Sequence, residues 1–248
     1  MKKRQCSICN QLEIVPADLT AYRQLSHWHY RDERIGPYAA IYAVRPKSKL
    51  RHRFGRGPAG VIVYSMPTPG LELRSVATEG LFSGLNRSDM LAMINKNVRC
   101  ISRVIIEPRF RSLGLAQRLV AETMKKVNVP IVESLAVMGK VNPFFEKAGM
   151  TEFEGKEPLR IARIREAFDL VGIGEELFID SDTVHKRLSK MPSPLAEFIE
   201  EQIRLFLASY GRRRDMDAGK ERTKFVLSKL CDRPVYFFWR NPALGIRV

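Results

Sequence analysis

The stretch Val104-Ile-Ile-Glu-Pro-Arg-Phe-Arg-Ser-Leu-Gly-Leu-Ala-Gln-Arg-Leu-Val120 constrains this chain more than any other. An apolar, β-branched run ends at Pro108, a basic turn containing Gly114 follows, and Ala116 to Met124 has the apolar spacing of an amphipathic helix. Strand, glycine turn and helix in that order build an anion site, because the first helical N–H groups lack partners and point into the turn. Arg109 and Arg111 add positive charge beside it. The pattern predicts a ligand that carries phosphate or pyrophosphate.

The remaining pattern extends this unit into an α/β layer. Strands are expected over Ala39–Val44, Gly60–Ser65, Arg99–Glu107 and Pro130–Met138, with helices over Pro16–Leu25, 113–126 and Asn142–Met150. Pro143 suits the first turn of that last helix and Gly149 its end. Residues 71–95 carry no clear period beyond a short helix at Ser88–Asn95. Strands alternating with helices argue for at least one parallel pair. Beyond Pro158 the composition changes: Ile161–Val171, Asp182–Lys190, Leu195–Tyr210 and Ala218–Leu230 all show helical spacing, and only Pro234–Trp239 returns to a strand. The expected division is therefore 1–158 and 159–248, the second part helical and ended by a strand able to rejoin the sheet.

With 45% hydrophobic and 28% charged residues, the composition is that of a soluble globular protein. No apolar run reaches the roughly 18 residues of a membrane span, and the basic start has no apolar stretch behind it, so a cytoplasmic protein without membrane contact is expected. Lys and Arg number 42 against 27 Asp and Glu, a formal net charge of +15, which attracts polyanions, nucleic acid first. The charge is clustered in Arg45, Lys47, Lys49, Arg51, Arg53 and Arg56 and again in Arg212, Arg213 and Arg214, placing nucleic-acid contacts there, on loops. Trp28, Tyr38 and Phe54 lie among basic residues and can stack on a base. Cys6 and Cys9 have the spacing of half a zinc site that His27 and His29 would have to complete; without a second such pair, no metal is expected. Cys100 reads as a small core residue.

Residues Val104 to Met150 resemble the core of the GNAT acyltransferase superfamily. The resemblance rests on a strand leading into Arg111-Ser-Leu-Gly-Leu-Ala116 and, downstream, a second strand leading into Asn142-Pro-Phe-Phe-Glu-Lys-Ala-Gly-Met150. It implies a GNAT-like mixed sheet and a coenzyme A thioester, acetyl-CoA or another acyl-CoA, as donor. Arg111, Ser112, Leu113, Gly114, Leu115 and Ala116 would hold the pyrophosphate, the edge at Val104, Ile105 and Ile106 the pantetheine arm, and Asn142 and Phe145 the thiol end. A wider stretch, about 20 to 150, is similar to the acetyltransferase part of proteins in which a GNAT domain is fused to an ABC-type ATPase, and more distantly to the phage Mom proteins that modify adenine in DNA. It implies transfer to a nucleic acid base, DNA before RNA, with an ATPase as a possible separate partner, since this chain contains no Gly-x-x-x-x-Gly-Lys-Ser/Thr loop. The competing acceptors are a protein amine, an aminoacyl-tRNA or a small amine, and the competing class is a non-catalytic nucleic acid binder.

Transfer to an amine needs a base, a donor for the developing oxyanion and a proton for the departing thiolate. Many GNAT proteins place a tyrosine in the closing helix as that acid; the matching position here is Phe145. Four polar residues are left as catalytic candidates: His29 and Tyr30 as base and substitute acid, and Glu133 or Ser134, which point to opposite sides of one strand, so that at most one faces the acceptor.

Overall fold

A computed structural model describes residues 8–29, 35–47, 52, 55–137, 139, 141–153, 158–231 and 234–246. The chain divides into two units, one formed by 1–154 together with 234–248 and the other by 155–233. The helical unit is thus an insertion, and the C-terminal strand belongs to the sheet rather than to the helices that precede it.

The first unit is built on a seven-stranded mixed sheet: β1 (Leu12–Ala17), β2 (Tyr38–Pro46), β3 (Gly60–Ser65), β4 (Val98–Ile106), β5 (Ile131–Ala136), β6 (Thr151–Phe153) and β7 (Val235–Arg240), in the spatial order β1-β2-β3-β4-β5-β7-β6. Every pairing is antiparallel except β4 with β5. That parallel pair is short: it covers Val98↔Ile131, Arg99↔Val132 and Cys100↔Glu133, and then the strands part. On the other edge of β4 the register slips between Val63 and Tyr64, which leaves Ser102 as an extra residue between Arg103 and Ile101. A bulge of this kind bends a strand and increases its twist.

Helices cover both faces of the sheet. Helix α4 (Leu115–Thr123) buries Leu115, Leu119, Val120 and Thr123, the inward positions of an amphipathic helix, against Ile62, Tyr64 and Val132. Thr123 and Tyr64 share a buried hydrogen bond of 2.7 Å. The short α5 (Phe144–Lys147) packs on the same face, with Phe145 stacked on Phe237 at 5.0 Å between ring centres. On the opposite face lie α1 (Leu19–Leu25), which buries Tyr22 and Leu25 against Val61, Val63 and Ile105, then α2 (Glu72–Ala77) and α3 (Arg87–Asn97). The alternation of Val61 and Val63 with Ile62 and Tyr64 divides the core between the two faces.

Several elements depart from the pattern expected of the sequence. The N-terminal helix begins at Leu19 rather than Pro16, because Leu12 to Ala17 pairs with β2 and Asp18 caps α1 by accepting from the Ala21 N–H. Residues 71–95 contain α2 as well as an α3 longer than expected. The helix expected to run from Asn142 to Met150 is four residues long, since Gly149 turns the chain with φ +95° into the edge strand β6.

In the helical unit, α6 (Leu159–Leu170), α7 (Ser181–Ser189), α8 (Ser193–Leu207) and α9 (Lys220–Cys231) enclose a core of their own built on Ile164, Phe168, Ile199, Ile203, Phe206, Val226, Leu227 and Leu230. Among the described residues no helix is long and apolar enough to cross a membrane.

Candidate functional site

The site begins where β4 and β5 separate. Two parallel strands that diverge after three paired positions leave a wedge, and alternate N–H and C=O groups of Ile101–Ile106 point away from β3 into it. A cleft of about 730 Å³ fills the wedge, a size suited to a cofactor-sized ligand. Its walls include Val104, Ile105 and Ile106 from β4, Ser134 to Ala136 from β5, and Asn142 and Phe145 beyond it. One end is closed by Arg111, Ser112, Gly114, Leu115 and Ala116, so these residues share one cleft with the strand edge; Leu113 packs with the adjoining core instead.

The turn at that end has the geometry of an anion cradle. Ser112 and Gly114 both take left-handed backbone conformations, with φ of +64° and +72°. Serine adopts that region only at a cost of order 1 kcal/mol, strain that clusters at ligand-binding turns. Gly114 precedes α4, no side chain caps the helix, and a Cβ added at Gly114 would meet nothing within 4 Å. The first amides of α4 have no intrahelical partners and belong to residues that line the cleft, at the positive end of the helix dipole. Arg111 folds over the turn and donates Nε to the Ile106 carbonyl at 3.3 Å, while Gln117 donates to the Lys147 carbonyl at 2.8 Å and ties α4 to α5. Lys147 and Gln117 also line the cleft, and no motif in the chain marks either.

The catalytic candidates are separated by the fold. His29 lines the cleft together with Trp28, at the end of a short helical turn (Ser26–Trp28) that packs against β4. Trp28 keeps 47% of its surface exposed. Tyr30 lies outside the described residues. Ser134 reaches the cleft wall, but its hydroxyl donates to the Ile101 carbonyl at 3.1 Å and is buried, so it ties β5 to β4 just past the last ladder pair. Ser102, the bulged residue, lines the cleft with its hydroxyl 2.6 Å from that of Ser65.

Glu133 does not face the cleft, and the expectation that it acts as a base there is corrected. Its carboxylate is buried on the other side of β5, where it accepts from Arg74 Nε at 2.8 Å, from a second Arg74 nitrogen at 2.6 Å and from the Tyr236 hydroxyl at 3.0 Å. Arg74 also donates to the Pro69 and Thr68 carbonyls, at 3.1 and 2.7 Å. Burial and then the Glu133 carboxylate hold the Tyr236 hydroxyl far above the usual phenol range, and the same two causes push the Cys100 thiol up to about 12. Phe145 is likewise a core residue at the cleft wall, only 4% exposed.

The basic residues sort differently from their sequence clusters. The sheet unit holds 26 Lys and Arg against 13 Asp and Glu, the helical unit 16 against 14, so nearly all of the excess charge belongs to the sheet unit. Arg45 is not in a loop: it sits in β2 opposite Glu13, and one of its nitrogens donates to the Arg56 carbonyl at 3.5 Å. Lys47 donates to the Asn10 carbonyl at 3.0 Å. Lys49, Arg51, Arg53 and Phe54 lie outside the described residues. Arg212 to Arg214 are exposed on the near-neutral helical unit, with Arg213 over the Phe225 ring and Arg214 paired with Asp215. Tyr38 starts β2 away from the cleft lining.

Cys6 is outside the described residues, and the Cys9 thiol contacts the Leu113 carbonyl at 3.6 Å. Among the described residues no group of three or more metal-ligating side chains comes together. No protein-family model matches the chain, and no curated protein does.

Proposed function

We propose that the β4–β5 cleft is the site of an acyl-CoA-dependent N-acyltransferase of the GNAT type, and that its acceptor is an amine of a nucleic acid base. The observation that carries the reading is the union of two features in one cleft: a strand edge opened by the β4–β5 divergence, and an uncapped helix start behind the left-handed Ser112–Gly114 turn. A long ligand with an amide-bearing arm and a pyrophosphate needs both. The residues fit it, since the arm can pair with the Val104–Ile106 edge while the turn amides and Arg111 face the phosphates.

A bound acyl-CoA would supply the thioester. The acceptor nitrogen bonds to the acyl carbon, the carbon–sulfur bond breaks, one amine proton leaves and the sulfur gains one. Of the described residues lining the cleft, His29 is the one whose side chain type titrates nearest neutrality, and it takes the amine proton. N–H groups of the β4 edge stabilise the carbonyl oxygen as charge develops on it. The nucleic acid acceptor is supported by the charge surplus of the sheet unit and by exposed Trp28 at the cleft. A non-catalytic binder on the same scaffold is favoured by one observation: Phe145, at the position where GNAT proteins carry their acid, is packed on Phe237 and offers no hydroxyl.

Incubation with acetyl-CoA and DNA, tRNA or a peptide mixture, followed by digestion and mass analysis, tests the reading. An acylated nucleoside is the expected product. An acylated peptide alone would move the acceptor to protein, and coenzyme A binding with no product in any arm would leave the binder.

A further inference from the structure

The helical unit carries a second cleft, of about 450 Å³, formed by its own residues alone. One wall is a face of α7 with Lys186, Arg187 and Lys190; the other is apolar, with Val171, Met191 and Leu195; among the described residues no acidic side chain lines it. The ion pairs of this unit lie elsewhere, at Arg165–Glu175, Arg204–Glu201, Arg214–Asp215, Lys220–Asp182 and Arg222–Glu200. Where cations and anions number 16 and 14, three cations together are a local surplus. Lys186 and Arg187 favour the C-terminal end of the α7 dipole, but that effect does not call for an apolar wall facing them.

The complement of this cleft lies on the same unit. Ile179, flanked in sequence by Glu175, Glu176, Asp180 and Asp182, is 90% exposed, more than any other large hydrophobic among the described residues; of these carboxylates Glu175 and Asp182 pair with Arg165 and Lys220. A single exposed isoleucine is ordinary by itself; here it stands beside carboxylates that complement the charge of the cleft, and it matches the cleft's apolar wall. Helix α7 therefore has an acidic start, Asp180 and Asp182, and a basic end, Lys186, Arg187 and Lys190. A two-fold axis beside it lays two such helices antiparallel, acid against base at both ends, as a self-complementary interface requires.

We propose that the occupant of the cleft is a second copy of this chain, in a two-fold dimer. Ile179 of each copy seats against the apolar wall of the other, and Glu176 and Asp180 face Lys186, Arg187 and Lys190. A nucleic acid strand suits the cleft less well, because its phosphates would leave the apolar wall of Val171, Met191 and Leu195 without a partner.

Sedimentation of the full-length protein over about 5 to 200 µM at low salt reads the assembly directly, since association is driven by concentration. The expected mass approaches twice 28.4 kDa at the upper end and returns to 28.4 kDa in Ile179→Asp and in the double variant Lys186→Glu, Arg187→Glu. Thermal melts of these variants should show them folded, because each altered side chain is exposed. Adding Glu176→Lys to the double variant should recover part of the dimer, because it again sets a cation against the two new carboxylates while Asp180 and Lys190 stay as they are. A wild type that stays at the monomer mass throughout, an Ile179→Asp variant that still dimerises, or growth past the dimer would each overturn the proposal.

Discussion

Arg74 holds Glu133 in a two-pronged buried ion pair, with both side chains no more than 2% exposed and the Tyr236 hydroxyl completing the carboxylate's shell. It joins α2, β5 and β7 behind the wall from which the cleft opens. Removing one partner strands a buried charge, so Glu133→Ala should cost about 3–5 kcal/mol in urea unfolding. The pair Arg74→Met with Glu133→Leu should cost clearly less than either single change, because no lone charge remains. If Glu133 were instead the base, Glu133→Gln would abolish transfer while leaving the unfolding midpoint unchanged; the geometry predicts that any loss of transfer tracks loss of stability.

The same cluster makes the fold sensitive to alkali. Cys100, Tyr236 and Tyr64 all have proton affinities raised by burial, with the Cys100 thiol moved from 9.0 to about 12. The folded state keeps these protons after the unfolded chain has lost them. Their contribution is thus complete below the unfolded values, 9.0 for the thiol and 10.0 for the phenols, and falls as pH rises. Each group should subtract up to about 1.4 kcal/mol per pH unit within its window. Unfolding at pH 8, 9.5 and 10.5 should show stability decreasing above pH 9, and Cys100→Ala should remove the first part of that decline. A flat profile to pH 10.5 would contradict the burial of these groups.

At the turn before α4, Gly114→Val asks a β-branched residue to adopt φ +72° and puts a side chain into the open space that Gly114 leaves at the cleft. The strain should cost about 1–2 kcal/mol of stability. Calorimetric titration should show coenzyme A affinity falling more than tenfold, and Arg111→Glu should lower it by at least about tenfold with little change in stability, as an exposed arginine allows. Equal affinity in Arg111→Glu and wild type would remove the phosphate end from this turn.

His29 and Ser134 line one cleft but should behave differently when altered. Ser134→Ala loses a buried hydrogen bond to the Ile101 carbonyl and should cost about 1 kcal/mol without altering the pH dependence of thiol release. His29→Ala should lower the rate and remove the rise with pH near neutrality that a histidine base produces. A pH profile unchanged in His29→Ala would exclude it from proton transfer.

The strand, turn and helix around Gly114 were legible in the chain because their signals are local: apolar run, Arg111, Gly114 and amphipathic helix follow one another within a few residues. Glu133 was misread because its partners Arg74 and Tyr236 lie 59 and 103 positions away, and alternation along β5 shows that Glu133 and Ser134 oppose one another without saying which faces the cleft. The strand β1 was hidden for a related reason. Its pairing with β2 joins residues 24 (Ala17 and Ile41) to 34 (Leu12 and Pro46) positions apart, whereas Asp18 and Pro16 send a strong local helix signal. The wedge itself has no sequence marker, since it arises from where two strands stop pairing.

Charge partition between the units yields the sharpest test of the proposed nucleic-acid contact and of the unit that makes it. The sheet unit carries 13 more cations than anions and the helical unit two more, although both contain an arginine cluster. Each cation in contact with a phosphate contributes close to one unit to the slope of log affinity against log salt. Replacing Arg45, Lys47 and Arg56 with Gln should therefore reduce that slope by about one for each side chain in contact, up to three, and weaken duplex binding at any sequence. Arg45 and Lys47 make only backbone-carbonyl contacts, so their loss should leave stability nearly unchanged. Replacing Arg212, Arg213 and Arg214 should change the slope by less than one, because Arg214 is already paired with Asp215 and Arg213 lies on Phe225. The opposite ranking would move the nucleic-acid face onto the helical unit and separate it from the cleft residues Trp28 and His29.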